Sequence, residues 1–239
     1  MAKELTNWKD EMAKSAKAVA EQHTAPVSGI SLKSGVMSYN GEPVPGNKLE
    51  CIILTSVFEN TYFPGRYDPD KIVPPACYSK SVHKEGMVPY ENVLDQQGDA
   101  CATCANSQWG SDPNGGKGKA CKEKVKLAII PAGLDSTQVA TAEVAIMTIP
   151  VTSVRNWGNY TNLLAAKYAR PSWGISSFIS VKPDAKTQFK VNFEEGVPLA
   201  DDMLGAVHDR IAKATEALLD GYDYPDEEEA KKPSKARKF

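Results

Sequence analysis

The sequence predicts a mainly β protein with flanking helices, and three observations support this. Runs rich in Val, Ile and Phe, of which 49–58 is the clearest, alternate with Gly- and Pro-containing turns. Three stretches, at 3–22, 154–168 and 200–220, have the apolar period of an amphipathic helix. Apolar residues make up 41% and charged residues 24% of the 239 residues, as in ordinary globular domains.

The chain begins with a predicted N-terminal helix, to which we assign residues 1–24. Leu5, Trp8 and Met12 recur at spacings of three and four, with charged residues between them. Because this pattern leaves no apolar h-region, we expect no secretory signal. The chain also has no run of 18 apolar residues. The sequence therefore predicts a cytoplasmic protein with no membrane partner.

The next part of the chain, 25–195, is predicted to form the β domain. A helix over 154–168 lies late among its main strands, and a hairpin closes the order. That order is compatible with an OB-fold-like barrel of five strands. The predicted strands are 28–33, 36–39, 49–58, 124–130, 139–149, 173–182 and 187–193.

A long insertion, at about 62–122, interrupts this barrel. Glycines and prolines break every hydrophobic period in it, and so long a loop needs a function or an internal staple. Four of the five cysteines lie there, and Cys51 lies in an apolar strand, where a free cysteine behaves as a small hydrophobe. The remaining four cysteines are therefore candidates for an internal cross-link of the insertion.

The spacing Cys77-x23-Cys101-x2-Cys104-x16-Cys121 predicts one structural zinc ion. The close pair can place two thiolates on one ion from a single turn, and Cys77 and Cys121 can each supply one more. Because the insertion has few large apolar residues, metal binding would supply its folding energy. His83 is an alternative ligand, and a redox pair at Cys101 and Cys104 is the other interpretation.

A competing motif is that of the zinc deaminases, in which H-x-E is followed by P-C-x-x-C. The His-Lys-Glu run at 83–85 and the close cysteine pair imitate it. However, alanine precedes Cys101, a Gly/Pro-rich loop separates the two halves, and two cysteines would have no role. We therefore expect no enzymatic activity and keep a zinc-dependent deaminase as the remote alternative.

Charge is unevenly distributed along the chain. The 28 basic and 30 acidic residues give a net charge of -2, which by itself argues against a polyanionic partner. Residues 115–190, however, hold 11 basic and 4 acidic residues, whereas 220–229 hold six acidic residues and no base. A local excess is the relevant electrostatic footprint, so a nucleic-acid partner remains open.

A basic and aromatic surface is expected beside the last cysteine. Five lysines fall within 117–126, and aromatic residues lie at 62–67 and at Trp109. Rings stack on bases and lysines contact phosphates, so this combination suits a single strand. The alternative is that the rings pack the insertion and the lysines are only solvated. The predicted nucleic-acid-binding residues are Tyr62, Arg66, Tyr67, Trp109, Lys117, Lys119, Lys122 and Lys124.

The insertion resembles a family of bacteriophage proteins that are taken to be single-stranded-DNA-binding proteins. The likeness covers about residues 25–195 and is most specific in the insertion. The residues that carry it are Asn60-x-Tyr62-x5-Asp68-Pro69, Pro74-Pro75-x-Cys77, Cys101-x2-Cys104-x-Asn106-x2-Trp109-Gly110-Ser111 and Gly116-Lys117-Gly118-Lys119-Ala120-Cys121-Lys122.

The resemblance implies an OB-fold with an inserted zinc site. It implies a protein that coats and protects single-stranded DNA during phage DNA replication and recombination in the bacterial host cytoplasm. A zinc-containing transcription-modulating or protein-interaction module is the alternative. The zinc ligands that the resemblance implies are Cys77, Cys101, Cys104 and Cys121.

The chain is predicted to end with a helical segment at 196–220 and a disordered charged tail at 221–239. Clustered charge with few apolar residues cannot bury enough surface to fold. Many phage single-strand binders end in an acidic tail, so the resemblance implies recruitment of phage DNA polymerase, helicase or recombination proteins. A basic run at 231–238 departs from that pattern. The acidic residues assigned this role are Asp223, Asp226, Glu227, Glu228 and Glu229.

Overall fold

A computed structural model gives the architecture of most of the chain. The predicted helix at 1–24 and the end of the chain lie largely outside the described part, although Trp8, Glu11 and Met12 are helical. The described part is mainly β with a few helices. The residues that the structure describes are 8, 11, 12, 29–65, 73–113 and 115–224.

The described residues form nine strands, helices and short 3₁₀ turns. The strands are β1 (Gly29–Ser31), β2 (Ser38–Tyr39), β3 (Glu42–Pro43), β4 (Lys48–Tyr62), β5 (Cys77–Ser81), β6 (Lys122–Pro131), β7 (Ala145–Ile149), β8 (Ile175–Asp184) and β9 (Gln188–Pro198). The helices with described bounds are α1 (Ser136–Thr141), α2 (Val154–Tyr168) and α3 (Asp201–Leu219). None of these described helices is long and apolar enough to cross a membrane.

All nine strands join in one curled, open sheet. Its order is β3-β2-β1-β7-β6-β4-β8-β9, and β5 pairs with β4 beside this path. The long strand β4 is the centre of the sheet, because it pairs with β5, β6 and β8. A register shift between Ile53 and Thr55 interrupts its pairing with β6. Irregularities of this kind bend a strand and increase its twist, which favours the half-barrel shape.

Two apolar cores lie on opposite faces of the sheet, because successive residues of a strand point to opposite sides. On the first, which we call the α2 face, Trp157, Tyr160 and Leu164 of α2 pack against the strands. Cys51 is fully buried in this core, as expected of a small hydrophobe. On the second, the α3 face, Val207 is among the residues through which α3 covers β4 and β6.

The beginning of α2 covers part of the edge of β9. The Val191 amide donates a hydrogen bond to Ser153 Oγ at 2.9 Å. The Asn156 side chain donates to the Val191 carbonyl at 2.9 Å. Side chains thus satisfy backbone groups that an added strand would otherwise pair, which protects an edge from association.

The structure differs from the sequence expectation most clearly at 139–149, which was predicted as a single strand. The segment begins inside α1 and continues as β7. The cause is a capping box, in which Asp135 accepts from the Gln138 amide at 2.8 Å and Gln138 accepts from the Asp135 amide at 2.9 Å. Such a box starts a helix where apolar spacing alone suggests a strand. The helix α2, in contrast, has the predicted bounds.

Candidate metal and nucleic-acid site

The insertion between β4 and β6 is anchored to the sheet by β5. In the antiparallel pairing of these strands, Cys77 lies opposite Tyr62, the last residue of β4. The loop after β5 returns to the same strand, because the Tyr90 amide donates to the Tyr78 carbonyl at 3.0 Å. The first predicted ligand therefore projects from regular structure, which fixes its position relative to the sheet.

The four cysteines predicted as ligands line one small cavity of about 20 Å³. Cys77 and Cys121 are each 8% exposed, and the other two are half-buried. The arrangement brings together four thiols from three separate parts of the insertion. Among the described residues, no three His, Cys, Asp or Glu side chains are grouped closely enough to hold a metal ion.

Local hydrogen bonds shape the turn that carries the close cysteine pair. The Cys104 amide donates to the Ala100 carbonyl at 3.1 Å, and the Cys101 amide donates to the Met87 carbonyl at 2.9 Å. The Cys104 thiol lies 3.5 Å from the Gln97 carbonyl, to which it can donate. These bonds hold the turn against the segment that follows β5, and both thiols line the cavity.

Two of the four thiols that line the cavity have perturbed pKa values, and burial is the main cause. It raises the pKa of Cys77, and it raises that of Cys121 to about 12, partly offset by a hydrogen bond with Ser107. The other thiols of the group raise both pKa values further. These groups are therefore neutral near pH 7, and a metal ion that binds them must release protons.

His83 and Glu85, which carry the deaminase-like pattern, are placed elsewhere. Both are exposed residues of the loop after β5. Neither belongs to the described residues that line the thiol cavity. The pattern therefore brings neither an imidazole nor a carboxylate to the thiols, as a catalytic zinc site of that kind requires.

Aromatic and basic side chains meet where the insertion returns to β6. Trp109 is 77% exposed, and the Lys119 ammonium lies 5.3 Å from the centre of its ring. Lys119 also pairs with Glu123 at 2.5 Å, and Lys122 pairs with Asp112 at 3.1 Å. Two of the predicted phosphate-binding lysines are thus already paired with carboxylates.

Two more of the predicted lysines flank this group. Lys117 is exposed in the glycine-rich loop before β6. Lys124 lies on β6 with its ammonium 6.0 Å from the centre of the Phe63 ring. Burial lowers the pKa of Lys124. Phe63 is 40% exposed, so this pair adds a second ring and cation to the same end of the sheet.

The remaining aromatic and basic candidates have different positions. Tyr62 is half-buried and lines the thiol cavity, so its ring contributes to the packing of the insertion. Arg66 and Tyr67 lie outside the described residues. The exposed rings that the structure places beside lysines are therefore Trp109 and Phe63.

A charged cluster that no sequence motif predicted lies on the α3 face of β4. Glu59 is 1% exposed, and its carboxylate lies 2.9 Å from the Lys126 ammonium and 3.9 Å from that of Lys80. The Tyr222 hydroxyl donates to Glu59 at 2.9 Å, and Lys80 donates to the Asp220 carbonyl. A buried charge needs such partners, so these two lysines are engaged in the fold.

This cluster holds the chain after α3 on the sheet. Residues 221–224 were predicted to begin a disordered tail, but the Tyr222 ring lies 4.9 Å from the ring of Tyr78. Tyr224 donates to a backbone carbonyl in the loop before β5 at 2.8 Å. The structure corrects the predicted boundary, because two tyrosines supply apolar surface that a count of charges overlooks. Of the tail residues assigned to partners, Asp223 is exposed, and Asp226, Glu227, Glu228 and Glu229 lie outside the described residues.

The position of Lys80 predicts a pH dependence of stability. Burial, reinforced by the Lys126 cation, lowers the pKa of Lys80 from 10.5 to about 8. Between these values the unfolded chain binds more protons than the folded protein, so the free energy of unfolding should rise with pH. We expect wild type to gain about 1–2 kcal/mol relative to Lys80→Met between about pH 7.5 and about pH 9.5.

Urea denaturation at the two pH values measures this difference. Lys84→Met is the matched control, because the Lys84 side chain is 61% exposed. The difference in free energy of unfolding between wild type and this control should be independent of pH. If the difference between wild type and Lys80→Met also does not change with pH, the lowered pKa of Lys80 is contradicted.

The insertion thus combines a cavity lined by four thiols with an exposed indole beside an ammonium group. Thiolates are suited to a soft metal ion such as zinc, and rings with lysines are suited to a nucleic-acid strand. Comparison with protein-family models, with curated proteins and with solved structures finds no match to this chain.

Proposed function

We propose that this protein binds single-stranded DNA and catalyses no reaction. The observation that carries the proposal is Trp109, whose ring is 77% exposed with the Lys119 ammonium 5.3 Å from its centre. An exposed ring of this size is available to stack on an unpaired base, which contributes about 1–3 kcal/mol per base. The neighbouring ammonium can contact the adjoining phosphate, and together these groups favour a single strand over a duplex.

The charge around Trp109 supports the same partner. Five lysines surround this end of the sheet, against two carboxylates with which three of them pair. Ion pairs that are exposed or half-exposed contribute little stability, so a phosphate can replace a carboxylate at small cost. The lysines are Lys84, Lys117, Lys119, Lys122 and Lys124, and the carboxylates are Asp112 and Glu123.

We propose that the sheet is a partly open OB-type barrel made of β4, β6, β7, β8 and β9. Taken in chain order as strands one to five, they lie in the spatial order 5-4-1-2-3, with α2 between the third and fourth. The arrangement 4-1-2-3 is that of a Greek key. The insertion then occupies the loop between strands one and two, one of the loops with which OB-folds hold oligonucleotides.

We propose that Cys77, Cys101, Cys104 and Cys121 hold one structural zinc ion. The cavity that they line has room for about one water-sized sphere. Four thiolates satisfy a tetrahedral zinc ion and leave no open position for catalysis. The ion would bring the thiols closer as they lose their protons, and it would join β5, the close cysteine pair and the start of β6.

Exposed apolar residues explain why the insertion would need a metal ion. Val82, Val88 and Leu94 are 40%, 55% and 65% exposed, so this region buries few of its own apolar side chains. A segment with so small a core depends on another source of folding energy, and metal coordination is the usual one. We expect the ion to stabilise the loop that carries Trp109.

We propose a role in phage DNA replication or recombination, from the resemblance of the insertion to the phage family. The protein would coat displaced single strands, and the acidic residues after α3 would dock a polymerase, a helicase or a recombination protein. A protein-interaction module is the second candidate, and the exposed side chains of Val82, Val88 and Leu94 favour it. The two candidates differ in whether binding of the partner requires the lysines beside Trp109.

Replacement of Lys117, Lys119 and Lys122 by alanine is expected to weaken DNA binding and reduce its salt dependence. Each phosphate contact on a single strand contributes about -0.7 to the slope of log K against log salt concentration, so the slope should become less steep by about 2. Fluorescence anisotropy with a labelled oligo(dT) at several salt concentrations measures this slope.

The matched control replaces Lys33, Lys167 and Lys213, which lie on a 3₁₀ turn, on α2 and on α3, outside the insertion. It removes the same charge and should leave the slope close to that of wild type. An unchanged slope in the first variant would exclude these lysines as phosphate contacts and favour the protein-interaction module.

A further inference from the structure

We infer that Ser111 is a positioning residue, whose hydroxyl fixes the loop that carries Trp109 to the residue just before Cys121. The inference deepens the proposed function and rests on it, because Trp109 matters here as a ring that stacks on a base. We call residues 105–113 the Trp109 loop. Its geometry is set by hydrogen bonds to the two cysteine-bearing segments, and Ser111 joins the two sets of bonds.

One end of the Trp109 loop rests on the close cysteine pair. The Ser107 amide donates to the Cys104 carbonyl at 3.0 Å. The Gln108 side chain donates to the carbonyls of Ala102 and Cys104, at 3.0 and 3.1 Å. The residue immediately before Trp109 is therefore fixed to the turn that presents two of the four thiols.

The other end of the loop is fixed to the segment that carries the last thiol. The Cys121 amide donates to the Asn106 carbonyl at 2.8 Å. The Gly110 amide donates to the Gly118 carbonyl at 2.9 Å, directly after Trp109. Gly110 has a φ of +86°, a conformation that favours glycine. The backbone on both sides of the indole is thus held.

Ser111 connects these two sets of contacts through one hydroxyl. Its oxygen accepts from the Ala120 amide at 2.9 Å. Its hydrogen can reach two carbonyls of the Trp109 loop, that of Gln108 at 2.7 Å and that of Asn106 at 3.0 Å. The hydroxyl therefore joins the centre of the loop to the residue before Cys121, and alanine at this position would remove all three contacts.

The exposure of Trp109 explains why this bracing matters for binding. An indole that is 77% exposed has little packing of its own to hold it. Its orientation then depends on the backbone that carries it, and a ring ordered before binding loses less entropy when a base stacks on it. Loosening the loop should therefore weaken stacking without removing the ring or any charge.

A double-mutant cycle on the full zinc-loaded chain tests the inference. The affinity for a labelled oligo(dT) is measured for wild type, Ser111→Ala, Trp109→Ala and the double variant. We expect Ser111→Ala to weaken binding by about 2- to 10-fold, the range for one lost hydrogen bond. In the Trp109→Ala background the same change should have almost no effect. Ser111→Thr keeps the hydroxyl and should restore the affinity.

Metal content and the cycle together separate positioning from a general loss of structure. Zinc content should be equal in wild type and Ser111→Ala, and a loss of zinc in the variant would overturn a specific positioning role. An equal loss of affinity with and without the Trp109 ring would overturn the inference and leave single-strand binding intact. Wild-type protein that does not bind the oligonucleotide would overturn both the inference and the proposed function.

Discussion

Replacement of Cys104 by serine is expected to abolish stoichiometric zinc binding and to unfold the insertion while the sheet remains folded. A structural zinc site needs all four ligands, and a hydroxyl is a poor substitute for a thiolate at neutral pH. Structural zinc contributes about 10–16 kcal/mol in isolated zinc-finger peptides, compared with about 5–15 kcal/mol for the whole stability of an ordinary domain. Loss of any one of the four ligands should therefore have a larger effect than any other single substitution.

Metal analysis and limited proteolysis measure the two parts of this expectation. The Cys104→Ser protein should contain almost no zinc, and protease should cut it within the insertion at concentrations that leave wild type intact. The helix α2 and the strands that pack against it should resist cleavage in both proteins, because their apolar residues lie in the core of the α2 face.

Cys51→Ala is the matched control for the loss of a thiol. Cys51 is 0% exposed in the core of the α2 face and is not among the residues that line the thiol cavity. The control should keep its zinc and lose about 1–2 kcal/mol of stability through a small cavity. Equal zinc content in wild type and Cys104→Ser would contradict the proposed four-thiolate site.

Trp109→Ala is expected to weaken the binding of single-stranded DNA by about 5- to 100-fold. One lost stack corresponds to about 1–3 kcal/mol, and each 1.4 kcal/mol is a factor of ten in affinity. The ring carries no charge, so the slope of log K against log salt concentration should be unchanged. This combination distinguishes the variant from the lysine variant, in which the slope itself changes.

Leu94→Ala is the matched control for an exposed apolar side chain of the insertion. Leu94 is 65% exposed, comparable to Trp109, but it has no π-face on which a base can stack. Its replacement should leave the affinity within about twofold of wild type. A Trp109→Ala protein with wild-type affinity would show that the strand contacts a different surface.

Periodic segments of the fold could be predicted from the sequence. The helix α2 has the predicted bounds 154–168, and the strand predicted at 49–58 lies within β4, because long apolar patterns carry most of the local information. The segment 139–149 could not be read in this way. Its apolar residues fit a strand, whereas the helix there is started by the side chains of Asp135 and Gln138.

The candidate site was predictable where its contacts are local in the chain. The close cysteine pair lies on one turn, so its spacing indicated a common site, and the cavity brings together the four cysteines that the spacing selected. Lys122 pairs with Asp112, ten residues earlier, because an irregular loop brings them together, and no periodic sequence pattern predicts such a contact. Sequence reasoning therefore overestimated the number of lysines without a carboxylate partner.

The charged cluster on the α3 face could not be predicted from the sequence either, because its contacts join residues that are far apart in the chain. Tyr222 and Glu59 are 163 residues apart in the chain and meet because α3 crosses the sheet. The available signal was weak. Glu59 is an acidic residue near the end of an apolar strand, a position where a buried partner is needed.

The most direct test of single-strand binding is a titration of zinc-loaded protein with a labelled oligonucleotide and with the duplex of the same sequence. At about 50 mM salt we expect the single strand to bind at least about tenfold more tightly. Its affinity should fall steeply as salt is raised, in proportion to the number of phosphates contacted. Equal affinity for both forms, or no binding of the single strand at low salt, would contradict the account.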